Sequence, residues 1–253
     1  MKVYNRWRGW PRHETPPLRP GGGPWLDLSH PLREDMARIA FFPQPRIRRI
    51  MSMPEKPLNV TEIQVACHVG THVDAPLHFI PDGPAFHEIP LDRLYGPGVV
   101  WRLDVPRNGL ITPSDLERME PELRPGDIVF LDTGWAQYFG DPVYDEHPAL
   151  TPEAAEWLVA RGVKMVGVDF ATPDLPVPRR PPDFDWPVHH VLLSQGVLVV
   201  EHLTNLRPLA GRRVEVMCLA LNIQGADGAP ARVVARPAET QDSDRCAMGR
   251  DCS

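Results

Sequence analysis

The most informative stretch of this 253-residue chain runs from residue 68 to residue 79 and reads His68-Val69-Gly70-Thr71-His72-Val73-Asp74-Ala75-Pro76-Leu77-His78-Phe79. It places three imidazoles and a carboxylate within eleven residues, from His68 to His78. Imidazole nitrogen and carboxylate oxygen are the ligands that catalytic zinc, manganese and iron accept in proteins. A single histidine is more often structural, but four such residues together predict a metal site.

The spacing of these four residues adds a geometric expectation. His68, His72, Asp74 and His78 are separated by even numbers of residues, and alternate side chains of a strand point to the same face. Gly70 interrupts the run and, with Pro76 further on, predicts a bulge or loop inside it. The spacing therefore indicates a shared side rather than a detailed geometry.

The segment before the motif alternates apolar and polar residues from Thr61 to His68, as a half-buried strand does. We expect this strand to deliver the histidines. Further strands are predicted near residues 98–105, 127–132, 164–169, 196–203 and 213–223, with short helices starting at Thr112-Pro113 and Thr151-Pro152. This order predicts an α/β single domain with a mixed, strand-rich sheet and few helices.

Composition bounds the class of protein. The chain is 42% hydrophobic and 24% charged, which is typical of one large domain with a substantial core. Its net charge of -6 and the absence of a basic stripe argue against nucleic acid as a partner. No apolar run approaches the ~20 residues that span a bilayer, and the first residues lack the apolar core of a signal peptide. We therefore expect a cytoplasmic protein with no membrane partner.

Proline and glycine mark the predicted boundaries. Residues 1–24 are predicted to form an extended N-terminal arm, packed on the body or lent to a neighbouring subunit, and residues 236–253 a polar C-terminal tail. The body covers residues 25–235. The proline-rich segment 173–187 is placed to cover the site. Neither a dinucleotide-binding GxGxxG between strand and helix nor a GxxxxGK[ST] occurs in the sequence.

The histidine motif resembles the signature of the metal-dependent cyclase family, which includes bacterial kynurenine formamidases and isatin hydrolases. The resemblance covers roughly residues 25–235 and extends to four further segments, at residues 132–135, 167–169, 201–206 and 226–232. It implies a swivelling β/β/α-like fold and a cyclase-like metal hydrolase domain.

The resemblance also implies a ligand set. His68, His72 and Asp74 look like ligands of a first divalent metal, with Asp74 bridging to a second ion held by His189 and Glu201. His190 is the alternative to His189. The implied cofactor is zinc or manganese, one or two ions per subunit.

His78 looks like the family's catalytic acid/base. An imidazole with a pKa near 6.5 can accept a proton from water and return it to a departing nitrogen. Thr71 either fixes a histidine tautomer or is an ordinary strand residue, and Asp169 either orients His189 or caps a turn. The other histidines have no ligand spacing and are predicted to be structural or surface residues: His30, His87, His147 and His202.

Five aromatic residues lie beside the motif segments and either line a substrate pocket or pack in the core: Phe79, Trp135, Phe170, Phe184 and Trp186. The resemblance implies a metal-dependent amidohydrolase of a non-peptide carbon–nitrogen bond in a small molecule. The leading substrate is an aryl formamide such as N-formylkynurenine, and the other candidates are a lactam such as isatin or a cyclic imide. The alternatives are a metal-dependent dehydratase or cyclase and a non-catalytic metal-binding protein. The family further implies a homo-oligomer, a dimer or a tetramer.

Overall fold

The computed structural model describes residues 4–11, 22–39 and 41–238. Within these ranges the chain forms three α-helices, α1 (Pro113–Leu116), α2 (Pro152–Ala160) and α3 (Pro187–Ser194). It forms twelve strands over the same ranges: β1 (Leu26–Asp27), β2 (Arg46–Met51), β3 (Val60–Gln64), β4 (His72–Asp74), β5 (Tyr95–Arg102), β6 (Leu110–Ile111), β7 (Ile128–Asp132), β8 (Ala149–Leu150), β9 (Met165–Val168), β10 (Leu198–Glu201), β11 (Arg212–Ala220) and β12 (Gly228–Pro237).

The main sheet curls into a closed barrel. Its strand order is β1-β12-β11-β5-β7-β9-β10-β4, and β4 pairs again with the start of β12, so that seven strands close on themselves. The pairs β5–β7, β7–β9 and β9–β10 are parallel, whereas β4, β11 and β12 pair antiparallel with their neighbours. This mixed, strand-rich α/β architecture confirms the fold class predicted from the sequence.

The core has two layers, which explains the continuous apolar runs of the central strands. Phe130 on β7 and Val200 on β10 belong to the cluster that fills the barrel, while Val129 and Leu131 pack outward under α2 and α3. Strands covered on both faces need no polar alternation. At Gly167 a Cβ atom would lie 2.5 Å from Phe130 Cδ1, so glycine lets the barrel interior close.

The predicted helix starts are confirmed at both threonines. The Thr112 backbone N–H donates to Asp115 Oδ2 at 2.9 Å, and Thr151 Oγ1 accepts from the Ala154 N–H at 3.2 Å. In both helices a proline follows the threonine, where its missing N–H costs no hydrogen bond.

The strand expected from Thr61 to His68 differs from the prediction. It ends at Gln64 and pairs only with β2, in a separate two-stranded ribbon outside the barrel. His68 follows it in a turn, and only His72 and Asp74 lie on a strand of the barrel. Alternation predicts a strand but not the sheet that it joins, because both faces of this ribbon are largely exposed.

The described part of the arm packs on the body of its own chain. The Arg8 N–H donates to the Ser194 carbonyl at 2.9 Å, and the Trp7 N–H donates to Asp82 Oδ1 at 3.1 Å. Residues 12–21 of the arm and 239–253 of the predicted tail lie outside the described residues. In the part of the chain that the structure describes, no helix has the length and apolar character needed to cross a bilayer.

Candidate metal centre

Strand β4 brings the central side chains together. It runs antiparallel between β10 and the first residues of β12, with His72 opposite Glu201 and Asp74 opposite Gly228. Residues two apart on a strand share a face, and directly opposed residues of neighbouring strands point to the same side. His72, Asp74 and Glu201 therefore converge, and α3 adds His189 from above.

The four side chains form a buried ring of alternating imidazoles and carboxylates. His72 Nε2 lies 3.2 Å from Asp74 Oδ1 and 3.4 Å from Glu201 Oε2. His189 Nε2 lies 3.4 Å from Asp74 Oδ2 and 3.2 Å from Glu201 Oε1. Each carboxylate thus faces both imidazole nitrogens.

The protons of the two imidazoles are committed on their outer sides. His72 Nδ1 lies 2.7 Å from the Gly70 carbonyl, to which it donates, and His189 Nδ1 donates to Asp174 Oδ2 at 2.6 Å. A metal-binding imidazole is neutral and carries one N–H, so in that form both Nε2 atoms present lone pairs to the carboxylates. Among the described residues, the buried atoms His72 Nε2 and Asp74 Oδ2 have no hydrogen-bond partner. Facing lone pairs of this kind fit a divalent cation between them.

The electrostatics of the ring also favour a cation. Burial disfavours the charged imidazole of His72, but the neighbouring charges of Asp74 and Glu201 outweigh it and raise its pKa to about 10. Burial and Asp74 would raise the pKa of Glu201, yet His189 and His72 lower it to about 2. The ring therefore holds ionised carboxylates around a position that stabilises positive charge.

His68 and His78 form a second cluster at the mouth of the ring, joined by a carboxylate that sequence reasoning left without a role. His68 Nδ1 lies 2.8 Å from Asp74 Oδ1, and its Nε2 lies 2.9 Å from Asp227 Oδ2. The His78 ring stacks on His68 with centroids 3.8 Å apart, and its Nδ1 lies 3.5 Å from the same Asp227 oxygen. The side chains of His78 and Asp227 are 23% and 47% exposed, so this side of the centre opens to solvent.

The approach of β12 to this cluster depends on a glycine. A Cβ atom at Gly228 would lie 2.7 Å from His68 Cε1. The backbone carbonyl of Asp227 accepts from the Ala75 N–H at 2.9 Å, which ties the carboxylate to the end of β4. In the sequence, the signal for Asp227 is its place in segment 226–232, which is part of the family resemblance.

The carboxylate that orients His189 is Asp174, so of the two roles predicted for Asp169 the orienting one is wrong and the turn-capping one agrees with the structure. Asp169 instead accepts from the Thr133 N–H and hydroxyl and from the Trp135 N–H, at the end of β7. Asp174 also accepts from the N–H groups of Val188 and His189, which caps the first turn of α3. Asp169 directly follows β9, whereas Asp174 lies five residues later and contacts the first turn of α3.

Replacing Asp174 by asparagine is expected to weaken metal binding about tenfold to a hundredfold, the usual cost of losing a ligand's hydrogen-bond partner. Asparagine keeps an acceptor for the helix cap but can present an amide donor to His189 Nδ1, which disturbs the tautomer that leaves Nε2 free. Competition with a chromophoric chelator measures the affinity. Asp183→Asn, at an exposed position of the same segment, is the control. Equal affinity in both variants would show that Asp174 serves the helix alone.

Thr71 links two backbone segments rather than fixing a histidine tautomer. Its hydroxyl accepts from the His30 N–H at 2.9 Å and donates to the His202 carbonyl at 2.7 Å. His202 has a positive φ of 56°, and this hydrogen bond holds that backbone directly after Glu201. Thr71 therefore helps to fix the backbone that positions the carboxylate of Glu201.

His202 lies closer to the centre than its spacing indicated. A ring nitrogen of His202, a ring nitrogen of His72 and a carboxylate oxygen of Glu201 lie within 4.8 Å of one another. His202 Nδ1 also shares a hydrogen bond of 2.9 Å with the Tyr144 hydroxyl. Burial and the neighbouring His72 lower the pKa of His202 to about 3, so it stays neutral.

The other histidines without ligand spacing lie elsewhere: His87 is exposed, and His147 stacks on Phe170. His190, the alternative ligand, faces the Tyr4 carbonyl.

The five aromatic candidates divide into two groups. Phe79 contacts His189 at a centroid distance of 4.6 Å, and Trp186 and Phe184 continue this row at 5.8 and 5.5 Å. Phe170 is fully buried, and Trp135 is nearly so, with its indole donating to the Tyr144 carbonyl. These two pack in the core, so their placement does not support the prediction that they line a pocket.

Comparison with known proteins adds a sequence relationship to this geometry. A family model described as "Putative cyclase" matches residues 26–175. The chain is 34% identical over 184 residues to a kynurenine formamidase of Bordetella petrii, covering 72% of this chain and 83% of that protein. It is 35% identical over 197 residues to a kynurenine formamidase of Salinibacter ruber, covering 73% and 82% respectively.

Solved structures show the same fold. Isatin hydrolase A from Ralstonia solanacearum superimposes with a TM-score of 0.74 at 26% identity, over 84% of this chain and 91% of that one. A potential metal-dependent hydrolase with cyclase activity gives a TM-score of 0.70 at 27% identity, over 86% and 99% of the two chains. An isatin hydrolase with bound thioisatinate gives 0.77 at 22% identity, over 85% and 92%, which supports the fold alone.

Proposed function

The chain belongs to the cyclase family, and from this premise we propose that it is a metal-dependent hydrolase of a carbon–nitrogen bond, other than a peptide bond, in a small carbonyl substrate. An aryl formamide such as N-formylkynurenine is the leading substrate, in line with the relatives named kynurenine formamidase. A lactam such as isatin or a cyclic imide is the next class, in line with the isatin hydrolase structure.

One observation carries the proposal: the buried atoms His72 Nε2 and Asp74 Oδ2 have no hydrogen-bond partner among the described residues, although both belong to the ring of imidazoles and carboxylates, beside a solvent-facing histidine. We assign His68, His72 and Asp74 to a first divalent ion, and Asp74, His189 and Glu201 to a second. The donor atoms of Asp74, His189 and Glu201 lie within 4.8 Å of one another, which supports the second group. Nitrogen and oxygen donors of this kind suit zinc or manganese.

A divalent ion bound by these residues would supply polarisation of the substrate carbonyl and a water whose pKa is lowered to about 7, a nucleophile at neutral pH. The residues of the chain supply the rest of the chemistry. His78 stands at the solvent-facing side of the centre, and because its Nδ1 lies 3.5 Å from Asp227 Oδ2, we assign its Nε2 to proton transfer with the substrate. From there it accepts a proton and passes it to the departing nitrogen, a role that contributes about 10²- to 10⁴-fold in rate. Phe79 and Trp186 provide apolar surface for an aromatic group and exclude water.

The test offers metal-loaded protein a panel of N-formylkynurenine, formanilide, isatin and a cyclic imide, with zinc and manganese in separate preparations. We expect release of the amine or of the ring-opened acid, abolished by a chelator and restored by the metal. Loss of water without cleavage of the carbon–nitrogen bond would identify a dehydratase or cyclase instead. Bound metal with no turnover of any substrate would favour a metal-binding protein without catalysis.

We also infer that the protein works as a homo-oligomer, a dimer or a tetramer. The ribbon formed by β2, β3 and their connection (residues 46–64) exposes five large apolar side chains: Ile50, Met51, Met53, Leu58 and Ile63. An isolated two-stranded ribbon is marginally stable in water, so an apolar one gains from being covered. Light scattering coupled to gel filtration is expected to give a multiple of the 28.4 kDa chain, and a monomer would contradict the inference.

A further inference from the structure

One guanidinium beside the metal centre has no role in the chemistry derived so far. Arg180 belongs to the segment 173–187, and its Nε donates to the Leu175 carbonyl at 2.8 Å. The guanidinium carbon lies 5.2 Å from the ring centroid of Phe184 and 5.3 Å from that of Trp186. The backbone anchor and the two rings hold the head group in one place, and the planar group offers several donors in a fixed fork.

Part of this cation is buried and lacks a partner in the part of the chain that the structure describes. Arg180 Nη2 is shielded from solvent and finds no hydrogen-bond partner among the described residues. Two carboxylates, Asp183 and Asp185, stand close by in sequence but do not supply that bond. A buried charged donor left unsatisfied is costly, so its presence in the fold needs an explanation, such as a bound group that accepts the hydrogen bond.

The position of the guanidinium relates it to the metal centre. Aromatic contacts run from His189 to Phe79 at 4.6 Å and from Phe79 to Trp186 at 5.8 Å, and Arg180 lies against Trp186. Burial lowers the pKa of Arg180, and the charges of Asp174 and Glu201 oppose this effect, so the cation is within electrostatic range of the centre. Both of those carboxylates already face His189, at 2.6 and 3.2 Å.

We propose that Arg180 is a specificity-determining residue that binds a carboxylate of the substrate, with Phe79 and Trp186 packing against the aromatic part while the amide lies at the metal centre. This inference rests on the proposed function. The substrate class is therefore an amide that also bears a carboxylate, and a neutral amide of similar size binds more weakly. An arginine fork matches the geometry of a carboxylate and forms charge-assisted hydrogen bonds with it.

The experiment compares Arg180→Gln with Arg179→Gln, which removes the same charge from an exposed neighbouring position of the segment. Two substrates are used, 2-formamidobenzoate with a carboxylate and formanilide without one. For Arg180→Gln we expect the ratio of kcat/KM for 2-formamidobenzoate over formanilide to fall about tenfold to a hundredfold, mainly through KM, since one or two charge-assisted hydrogen bonds are lost. For Arg179→Gln we expect the ratio of the parent protein.

Binding of anthranilate, the product of 2-formamidobenzoate, gives a readout that needs no turnover. Calorimetry is expected to show the same loss of affinity in Arg180→Gln, and a partial loss in Arg180→Lys, which keeps the charge but not the fork. An unchanged ratio and affinity in Arg180→Gln, or an equal loss for both substrates, overturns the proposal. If the parent protein cleaves neither substrate, the proposed function fails, while anthranilate binding still decides the role of Arg180.

Discussion

Asp74→Ala is expected to lose most of the bound metal and to bring hydrolysis close to the background rate. One oxygen of Asp74 faces His72 and His68, and the other faces His189, so this carboxylate is shared by both proposed ions. The loss of metal removes several kcal/mol of transition-state stabilisation, which corresponds to at least about 10³-fold in rate. Mass spectrometry of dialysed protein for zinc and manganese, together with the rate on the best substrate, measures both effects.

Glu201→Ala is the matched comparison, since Glu201 belongs to the second ion only. It is expected to lower the metal content by one ion while leaving the first in place. Thermal unfolding of both variants shows whether the barrel persists without its ring carboxylates. If Asp74→Ala kept its full metal content, the assignment of Asp74 as a shared ligand would be wrong.

His78→Ala is expected to retain metal and to lose about 10²- to 10⁴-fold in turnover, the usual contribution of a general acid/base. The imidazole lies at the solvent-facing side of the centre and points Nδ1 towards Asp227 rather than into the buried ring. Its role is therefore to move a proton, and its removal leaves His72, Asp74, His189 and Glu201 in contact.

The measurement needs metal content and rate from the same preparation, because potential ligand atoms of His78, His68 and Asp74 lie within 4.8 Å of one another. Metal loss as large as in Asp74→Ala would make His78 a ligand instead of an acid/base. His87→Ala is the control: His87 lies in a short 3-10 helix like His78, is exposed, and accepts a hydrogen bond from the Gly225 N–H. It is expected to match the parent protein in both measurements.

Local sequence was sufficient to predict much of the fold and part of the metal centre. Thr112 and Thr151 marked two helix starts because a cap is decided within a few residues. The motif from His68 to His78 predicted one side of the metal centre, because its ligand side chains also lie within a few residues of one another. Its even spacing overstated the regularity of the backbone, however, since the four residues lie in a turn, a three-residue strand and a 3-10 helix.

The partners of the motif residues were harder to predict. Asp174 and Asp227 are single aspartates in loops, and each gains its role only because α3 and β12 return to the same edge of the barrel. The sequence also offers Asp169 as a residue that could orient His189. In the structure Asp169 follows β9 and accepts a hydrogen bond from Thr133, which follows the neighbouring strand β7. Which loop reaches which imidazole depends on strand order, and strand order has no short-range signature.

Local sequence is sufficient to predict a mixed, strand-rich α/β domain that resembles the cyclase family and carries a dense set of metal-ligand side chains. Periodicity, capping residues and the motif are local properties, so they are readable along the chain. Only the folded chain shows which imidazoles and carboxylates converge, which carboxylate orients His189, and that Arg180 Nη2 has no hydrogen-bond partner among the described residues. Those properties arise from contacts between residues far apart in sequence, which form only when the barrel closes.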